Sequence, residues 1–146
     1  RKLAVPMGVV GILLLLVVFS LAATPAFGAG NAKDLEGTPQ AKAYRALIKA
    51  IDAQDFEAYK KCMVSEAAKD MDKQLKEMGK TPKEVMGFFK AMEPTDIKFT
   101  DLKVDGKKAT LMATGKSDGE AEKGTIEMAE ENGVWKVGKQ SWTNAK

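Results

Sequence analysis

The sequence contains no histidine and only one cysteine in 146 residues. Without histidine, Ser-His-Asp and Cys-His catalytic arrangements are excluded, and most transition-metal sites, which favour imidazole or several thiolates, are disfavoured. Because Cys62 has no second cysteine to pair with, the chain cannot form an internal disulfide. We interpret Cys62 as a small buried hydrophobe, with an intermolecular or reactive thiol as the alternative. The composition therefore predicts neither a metal nor a cofactor.

An excess of charge of one sign is also missing. The chain has 23 Lys or Arg and 20 Asp or Glu, a net charge of +3. Two of the basic residues, Arg1 and Lys2, precede a hydrophobic segment, and the rest of the chain is close to neutral. Lysines and acids alternate across residues 60–80, as on a solvated helix face. This balance is too even for a nucleic-acid surface, so we expect no nucleic-acid partner.

One long stretch, residues 3–32, lacks charge altogether. It follows the basic pair, contains the apolar run ILLLLVVFS and has small residues at 26–28, the order of a secretory signal peptide. Its apolar part, residues 7–23, comes near the ~20 residues that span a bilayer, so a transmembrane anchor is the alternative. We predict a signal peptide or N-terminal anchor over residues 1–28. The protein is then exported to the periplasm or cell envelope, with inner-membrane anchoring as the alternative.

The rest of the chain divides into a linker and one domain. Residues 29–37, AGNAKDLEG, have no sustained apolar period and indicate a linker. Residues 38–146 form a segment of roughly 110 residues, which is a usual size for a single domain. No internal repeat or low-complexity block interrupts it.

Helices occupy the first half of this domain. Four residues that favour helix N-caps precede apolar stripes of helical period: Thr38, Asp55, Ser65 and Thr81. Thr81 is the clearest start because Glu84, three residues later, completes a capping box. Gly79 ends the third helix and Pro94 ends the fourth. The pattern predicts three to four N-terminal helices, the first over residues 39–53.

Strands occupy the second half. From residue 95 the apolar period changes to two, with a change of phase near Thr100-Asp101 that indicates a bulge. Turn sequences follow at Asp105-Gly106, at 117–119 and at Asn132-Gly133. Connections this short join antiparallel neighbours. The sequence therefore predicts an α+β fold in which the helices pack on a four-stranded, mainly antiparallel sheet, preceded by the hydrophobic signal or anchor helix.

The order of these features resembles the nuclear-transport-factor-2-like superfamily, a cystatin-type α+β cone. The resemblance rests on the step Gln54-Asp55-Phe56-Glu57, the helix before Pro94, the hairpins and the closing Gly133-Val134-Trp135-Lys136-Val137, and it is nearest to small exported bacterial proteins. It covers residues 38–142. It implies a curved sheet wrapped over the helices, with a pocket at the open end. The departures are a missing strand between the early helices and the lack of a cysteine for lipidation.

The resemblance also implies a homodimer through the exposed sheet face. In the second strand, Thr110, Met112 and Thr114 alternate with Ala109, Leu111 and Ala113, so neither face of this strand is strongly polar. A sheet face without strongly polar residues is usually covered by another part of the protein or by a second chain. We therefore predict a homodimer.

Both tryptophans, Trp135 and Trp142, belong to the predicted last strand. They share one face only if Gly138 carries a bulge that resets the alternation. We expect Trp135 to pack on the helices and Trp142 to stand at the rim of a pocket. The candidate ligand-binding residues are aromatic side chains from the helices and this strand: Tyr44, Tyr59, Trp135 and Trp142.

No catalytic residue stands out, since capping or turn formation already explains the aspartates near element ends, Asp52, Asp55, Asp96 and Asp101. The leading hypothesis is an exported, non-enzymatic domain that binds a small apolar ligand, a peptide or an envelope protein. One alternative is a small acid–base enzyme, isomerase-like or cyclase-like, which needs a carboxylate and a tyrosine facing each other in the cavity. The other is a membrane-anchored interaction module. Whether the protein is an enzyme stays open.

Overall fold

The computed structural model describes residues 32–145, which form five helices followed by four strands. The elements are α1 Ala32–Leu35, α2 Pro39–Asp52, α3 Phe56–Lys61, α4 Ser65–Met78, α5 Pro82–Met92, β1 Thr95–Asp105, β2 Lys108–Ser117, β3 Glu120–Glu131 and β4 Val134–Asn144. The predicted α+β class, with helices against an antiparallel sheet, is confirmed.

The predicted signal peptide or anchor of residues 1–28 lies outside the described residues. Export, localisation and the membrane-anchored alternative therefore stay predictions. Among residues 32–145, no helix combines the length and apolar character needed to cross a membrane.

Three of the four predicted helix starts are confirmed. The Thr38 hydroxyl and the Asp55 carboxylate each accept a hydrogen bond from the backbone N–H three residues further on, at 3.2 and 3.0 Å. At the start of α5, Thr81 and Glu84 form the full capping box, in which each side chain accepts from the other residue's backbone N–H. These bonds satisfy N–H groups that have no partner inside the helix.

The predicted N-cap at Ser65 is wrong. Val64 occupies the cap position of α4 and makes no side-chain cap bond. The backbone N–H and the hydroxyl of Ser65 donate instead to the Glu131 carboxylate, at 3.1 and 2.8 Å. Glu131 lies at the end of β3, and a carboxylate is favoured at a helix N-terminus because the helix dipole is positive there. A distant hairpin thus supplies the acceptor expected from a local cap.

The four strands form one antiparallel sheet in the order β1-β2-β3-β4. The predicted bulge in β1 is confirmed, because the register shifts between Phe99 and Asp101. The turns at Asp118-Gly119 and Asn132-Gly133 have positive φ at both residues, between 51° and 81°. Positive φ at both positions is the requirement of a type I′ hairpin.

The first hairpin turn lies one residue later than predicted. Asp105 pairs with Lys108, so the two loop residues are Gly106 and Lys107 rather than Asp105 and Gly106. Gly106 has a φ of 58°. Glycine therefore takes the first loop position, as in Gly-X hairpin loops, and Asp105 extends the strand.

The core lies between the helices and one face of the sheet. The sheet contributes Ile97, Phe99, Ala109, Leu111, Ala113, Ile126, Met128 and Val137, and the helices contribute chiefly Tyr44, Leu47, Ile51, Phe56, Met71, Val85 and Met86. Leu35 of α1 is also buried, with 4% of its surface exposed. The last residues of the predicted linker therefore belong to the folded domain.

The segment between α3 and α4 forms backbone hydrogen bonds with the edge strand β4. The Val137 N–H donates to Cys62 O at 2.8 Å, and the Val64 N–H donates to Val137 O at 2.9 Å. Cys62 is half-buried and packs against the core, and burial raises the pKa of its thiol. This environment suits a small hydrophobe better than a reactive thiolate.

The outward face of the sheet is more polar than β2 alone predicted. Thr110 lies beside Glu127, which lies beside Lys139, and Thr114 lies beside Lys123. Charged residues from the neighbouring strands thus surround the outward residues of β2. The homodimer predicted from β2 stays a prediction.

Candidate ligand-binding pocket

A pocket of about 300 Å³ opens between α2, α3, α5 and β4. Its apolar and aromatic lining consists of Tyr44, Ile48, Ile51, Tyr59, Met63, Met71, Phe88, Phe89, Met92, Pro94, Val137 and Trp142. Its polar lining consists of Glu93, Ser117, Glu122, Lys139, Gln140 and Ser141, with Gly138 between them. A largely apolar pocket with a few polar groups is typical of small-molecule sites, and this volume is at the small end of their range.

A bulge at Gly138 shapes the β4 wall of the pocket. Glu127 pairs with Lys139 but the next residue, Met128, pairs with Val137, so Gly138 is an extra residue in β4. The alternation of β4 is therefore reset between Val137 and Trp142. The bulge considered at Gly138 is therefore present, and Val137 and Trp142 both line the pocket.

Trp142 lies directly on the sheet. A β-carbon built at Gly124, its partner in β3, would come within 2.7 Å of the indole ring. A β-carbon at Gly115, in β2, would lie 3.2 Å from the same ring. Two glycines on adjacent strands thus leave room for the indole against the backbone. Its N–H donates to Gln140 Oε1 at 3.3 Å, which fixes the orientation of the ring.

Tyr44 stands beside Trp142, and its hydroxyl group has a hydrogen-bond partner. Its hydroxyl donates to Gln140 Oε1 at 2.7 Å, the same atom that accepts from the indole. The ring meets Phe99 edge-on, with centroids 6.0 Å apart. Burial is the main cause that raises the pKa of the Tyr44 phenol above its ordinary value. The phenol is therefore neutral at physiological pH and serves as a hydrogen-bond donor within the wall.

Tyr59 lies on α3 with only 5% of its surface exposed. Its ring packs against Phe89 of α5, with centroids 5.2 Å apart. Burial raises the pKa of its phenol, so it too is neutral at physiological pH. None of the side-chain hydrogen bonds found among residues 32–145 involves its hydroxyl.

Glu93 is the carboxyl group of the pocket with the most unusual environment. Burial, followed by the neighbouring Asp52 carboxylate, raises the pKa of Glu93 to about 8, while Lys90 acts in the opposite direction. Glu93 is half-buried at the end of α5 and lines the pocket. From the sequence, this residue could be predicted only to lie at the end of a helix before Pro94. The neighbouring residues give no signal that α5 ends at a pocket.

The structure brings together three of the four predicted ligand-binding residues. Tyr44, Tyr59 and Trp142 line the one pocket, whereas Trp135 lies outside it and packs, half-buried, against the core. The register places Trp135 opposite Glu130, near the far end of the β3-β4 hairpin. Trp135 therefore packs against the core, as expected of it, and is not part of the pocket wall.

Three of the four aspartates noted in the sequence have structural roles, and the fourth, Asp52, neighbours Glu93. Asp55 caps α3, Asp96 forms an ion pair with Lys116 at 3.5 Å, and the Asp101 carboxylate accepts from the Leu102 N–H. Within residues 32–145, no group of three or more His, Cys, Asp or Glu is placed to hold a metal ion.

Comparison of the chain with known proteins gave no match among protein-family models, curated proteins or solved structures. The resemblance to the nuclear-transport-factor-2-like superfamily therefore stays a prediction. Any function has to be argued from the pocket itself.

Proposed function

We propose that this domain is a non-enzymatic binding protein that holds one small, largely apolar ligand in the pocket between α2, α3, α5 and β4. The observation that carries the proposal is the composition of the wall: five aromatic rings and three methionines surround about 300 Å³ of space. Aromatic rings offer a large apolar surface, and methionine adapts its shape to an apolar ligand. The volume favours a small molecule over a peptide segment.

The exposure of the lining residues favours one orientation for an amphipathic ligand. Met92 keeps 48% of its surface exposed, so the pocket is open to solvent beside this residue. Met63 and Met71, also in the lining, are buried, with 7% and 1% exposed. A ligand would therefore place apolar atoms among the aromatic rings and leave any charged group near the opening.

The resemblance found in the sequence extends this proposal. A sheet curved into a cone over the helices would place the pocket at its open end. An exported protein with this pocket would carry or sense an apolar compound in the cell envelope. Both points rest on the resemblance and on residues 1–28.

Methionine methyl groups provide the test. In protein labelled with ¹³C at the methionine methyls, addition of n-butylbenzene should shift the signals of Met63, Met71 and Met92, which line the pocket. Met112 on the outward face and Met128 in the core serve as internal controls and should not move. The proposal fails if the pocket methyls do not respond, or if Met112 shifts as much as they do.

Glu93 supports a second candidate function, acid–base catalysis. A carboxyl group with a pKa near 8 beside a tyrosine is what the isomerase-like or cyclase-like alternative requires. Against it, the Tyr44 hydroxyl is already occupied by Gln140. Titration of the Glu93 side-chain carbon by ¹³C NMR decides whether this candidate stands. A titration midpoint of Glu93 near 8 would support acid–base catalysis. A midpoint near the ordinary value of 4.5 would rule it out.

A further inference from the structure

The two buried tyrosines of the pocket differ in one respect. The Tyr44 hydroxyl donates to Gln140 Oε1 at 2.7 Å, whereas the Tyr59 hydroxyl has no hydrogen-bond partner among residues 32–145. Hydroxyl groups inside proteins are normally paired, because a hydroxyl that leaves water without a partner loses its hydrogen bonds to water. Tyr59 therefore offers a hydroxyl that the described part of the chain leaves without a partner.

The Tyr59 oxygen is not sealed inside the protein. Within the described part of the chain, the only side-chain nitrogen or oxygen that is both fully buried and unpaired is Gln74 Oε1. The Tyr59 oxygen does not belong to this class, and the open space that Tyr59 lines is the pocket. A donor and acceptor that the protein itself does not use is available there.

The surroundings of Tyr59 restrict what can bind to it. Tyr59 packs against Phe89, and the pocket lining also includes the buried apolar residues Met63, Met71 and Val137. The pKa of Tyr59 is raised by burial and by Cys62, and none of the charged residues of the wall, Glu93, Glu122 and Lys139, contributes to it. A charged ligand group beside Tyr59 would lose its hydration without gaining an opposite charge, which is strongly unfavourable.

We propose that the pocket selects ligands that carry an uncharged hydroxyl group at their inner end, and that Tyr59 recognises this group by a hydrogen bond. The inference rests on the proposed function, because it names the chemistry of the ligand held in the same pocket. The rest of the ligand is apolar and extends along β4 toward Trp142. Val137 and Trp142 pair with Met128 and Gly124, which are four residues apart in β3, so this wall is roughly 13 Å long.

The test compares two ligands of nearly equal shape in two proteins. 3-Phenyl-1-propanol and n-butylbenzene differ by the replacement of a terminal hydroxyl by a methyl group. Their Kd values are measured by methionine-methyl NMR for the wild-type protein and for Tyr59→Phe. A neutral hydrogen bond of ordinary strength corresponds to a change of roughly threefold to tenfold in Kd. We expect Tyr59→Phe to raise the Kd of the alcohol by this factor. The Kd of the hydrocarbon should change less than about twofold.

Each outcome is informative. If Tyr59→Phe affects both ligands equally, recognition of the hydroxyl is refuted while the binding function stands. If neither ligand binds the wild-type protein at the pocket methyls, the proposed function itself fails. The ligand's orientation in the wild-type protein gives a second test that needs no variant. Nuclear Overhauser contacts should join the hydroxymethyl protons to Met71 and the phenyl protons to Met92, and the reverse orientation would overturn the inference.

Discussion

The indole ring of Trp142 rests on Gly124, so close that any β-carbon at position 124 would lie 2.7 Å from the ring. The two residues pair across β3 and β4, and the bulge at Gly138 places Trp142 on the helix-facing side of the sheet. The other side of the ring faces the pocket. The absence of a side chain at Gly124 therefore determines where one wall of the pocket lies.

Gly124→Ala should push the indole away from the sheet and into the pocket. We expect a loss of about 1–3 kcal/mol in the free energy of unfolding, because a rigid ring has to move in a packed environment. The affinity for n-butylbenzene should fall as well. Urea unfolding and the methionine-methyl titration measure the two effects.

Gly87→Ala is the matched control for this substitution. A β-carbon at Gly87 would meet only the Gln54 side chain, at an ordinary 3.6 Å. Because Gly87 lies within α5, alanine should stabilise the domain by about 0.5–1 kcal/mol. If both substitutions have the same effect, the contact between Gly124 and Trp142 is not what positions the ring.

The two tyrosines should respond differently to loss of their hydroxyl groups. Tyr44→Phe removes the 2.7 Å bond to Gln140 and should reduce the free energy of unfolding by about 1 kcal/mol. Tyr59→Phe removes a hydroxyl that has no partner within residues 32–145, so in the absence of ligand the change should be close to zero. Thermal or urea unfolding of the two variants tests this. A larger loss for Tyr59→Phe than for Tyr44→Phe would show that the hydroxyl is paired after all.

Glu93 should make the stability depend on pH. Its pKa is raised from 4.5 to about 8 in the folded protein, so between these values the folded state keeps a proton that the unfolded state has released. The contribution of Glu93 is therefore fully present below about 4.5 and is lost as the pH rises through about 8. Glu93→Gln, which cannot ionise, should gain stability relative to the wild-type protein across this window and keep the advantage above it.

Urea unfolding at a series of pH values gives the difference between the two proteins. Asp52→Asn is the control, because the Asp52 carboxylate is the second cause of the raised pKa after burial. Asp52→Asn should reduce the dependence of the free energy of unfolding on pH without abolishing it. A difference between wild type and Glu93→Gln that stays constant from pH 4 to 9 would contradict the assigned environment.

The last hairpin turn should tolerate glycine but not a β-branched residue. Asn132 and Gly133 have φ values of 52° and 80°. Gly133→Val should destabilise the domain by roughly 1–3 kcal/mol, because valine is strained at positive φ. Asn132→Gly should be nearly silent, since glycine adopts this conformation readily. Equilibrium unfolding followed by tryptophan fluorescence measures both, and an unchanged midpoint for Gly133→Val would mean that the turn lies elsewhere.

Features encoded by neighbouring residues could be predicted from the sequence. The caps at Thr38 and Thr81, the turn at Asn132-Gly133 and the bulges near Thr100 and at Gly138 all depend on residues a few positions apart. Local backbone preferences determine such features, so a single sequence contains the information. The α+β order of helices before strands follows from the same signals.

Features that depend on distant residues could not be predicted. Glu131, 66 positions further along the chain, accepts the hydrogen bond from the Ser65 N–H in place of a local cap. Gly124 makes room for Trp142 because the two residues pair across neighbouring strands. The environment of Glu93 likewise depends on how α5 packs beside Asp52. In each case the local sequence allows several roles, and the tertiary fold selects one.

The central claim is that the space beside Trp142 and Tyr59 is a ligand site. A crystal structure of the domain grown with 3-phenyl-1-propanol tests it most directly. We predict density for the phenyl ring between Tyr44, Phe88 and Trp142, with the alcohol oxygen roughly 2.6–3.0 Å from the Tyr59 oxygen. An empty pocket, or an alcohol bound only on the outward face of the sheet, would contradict it.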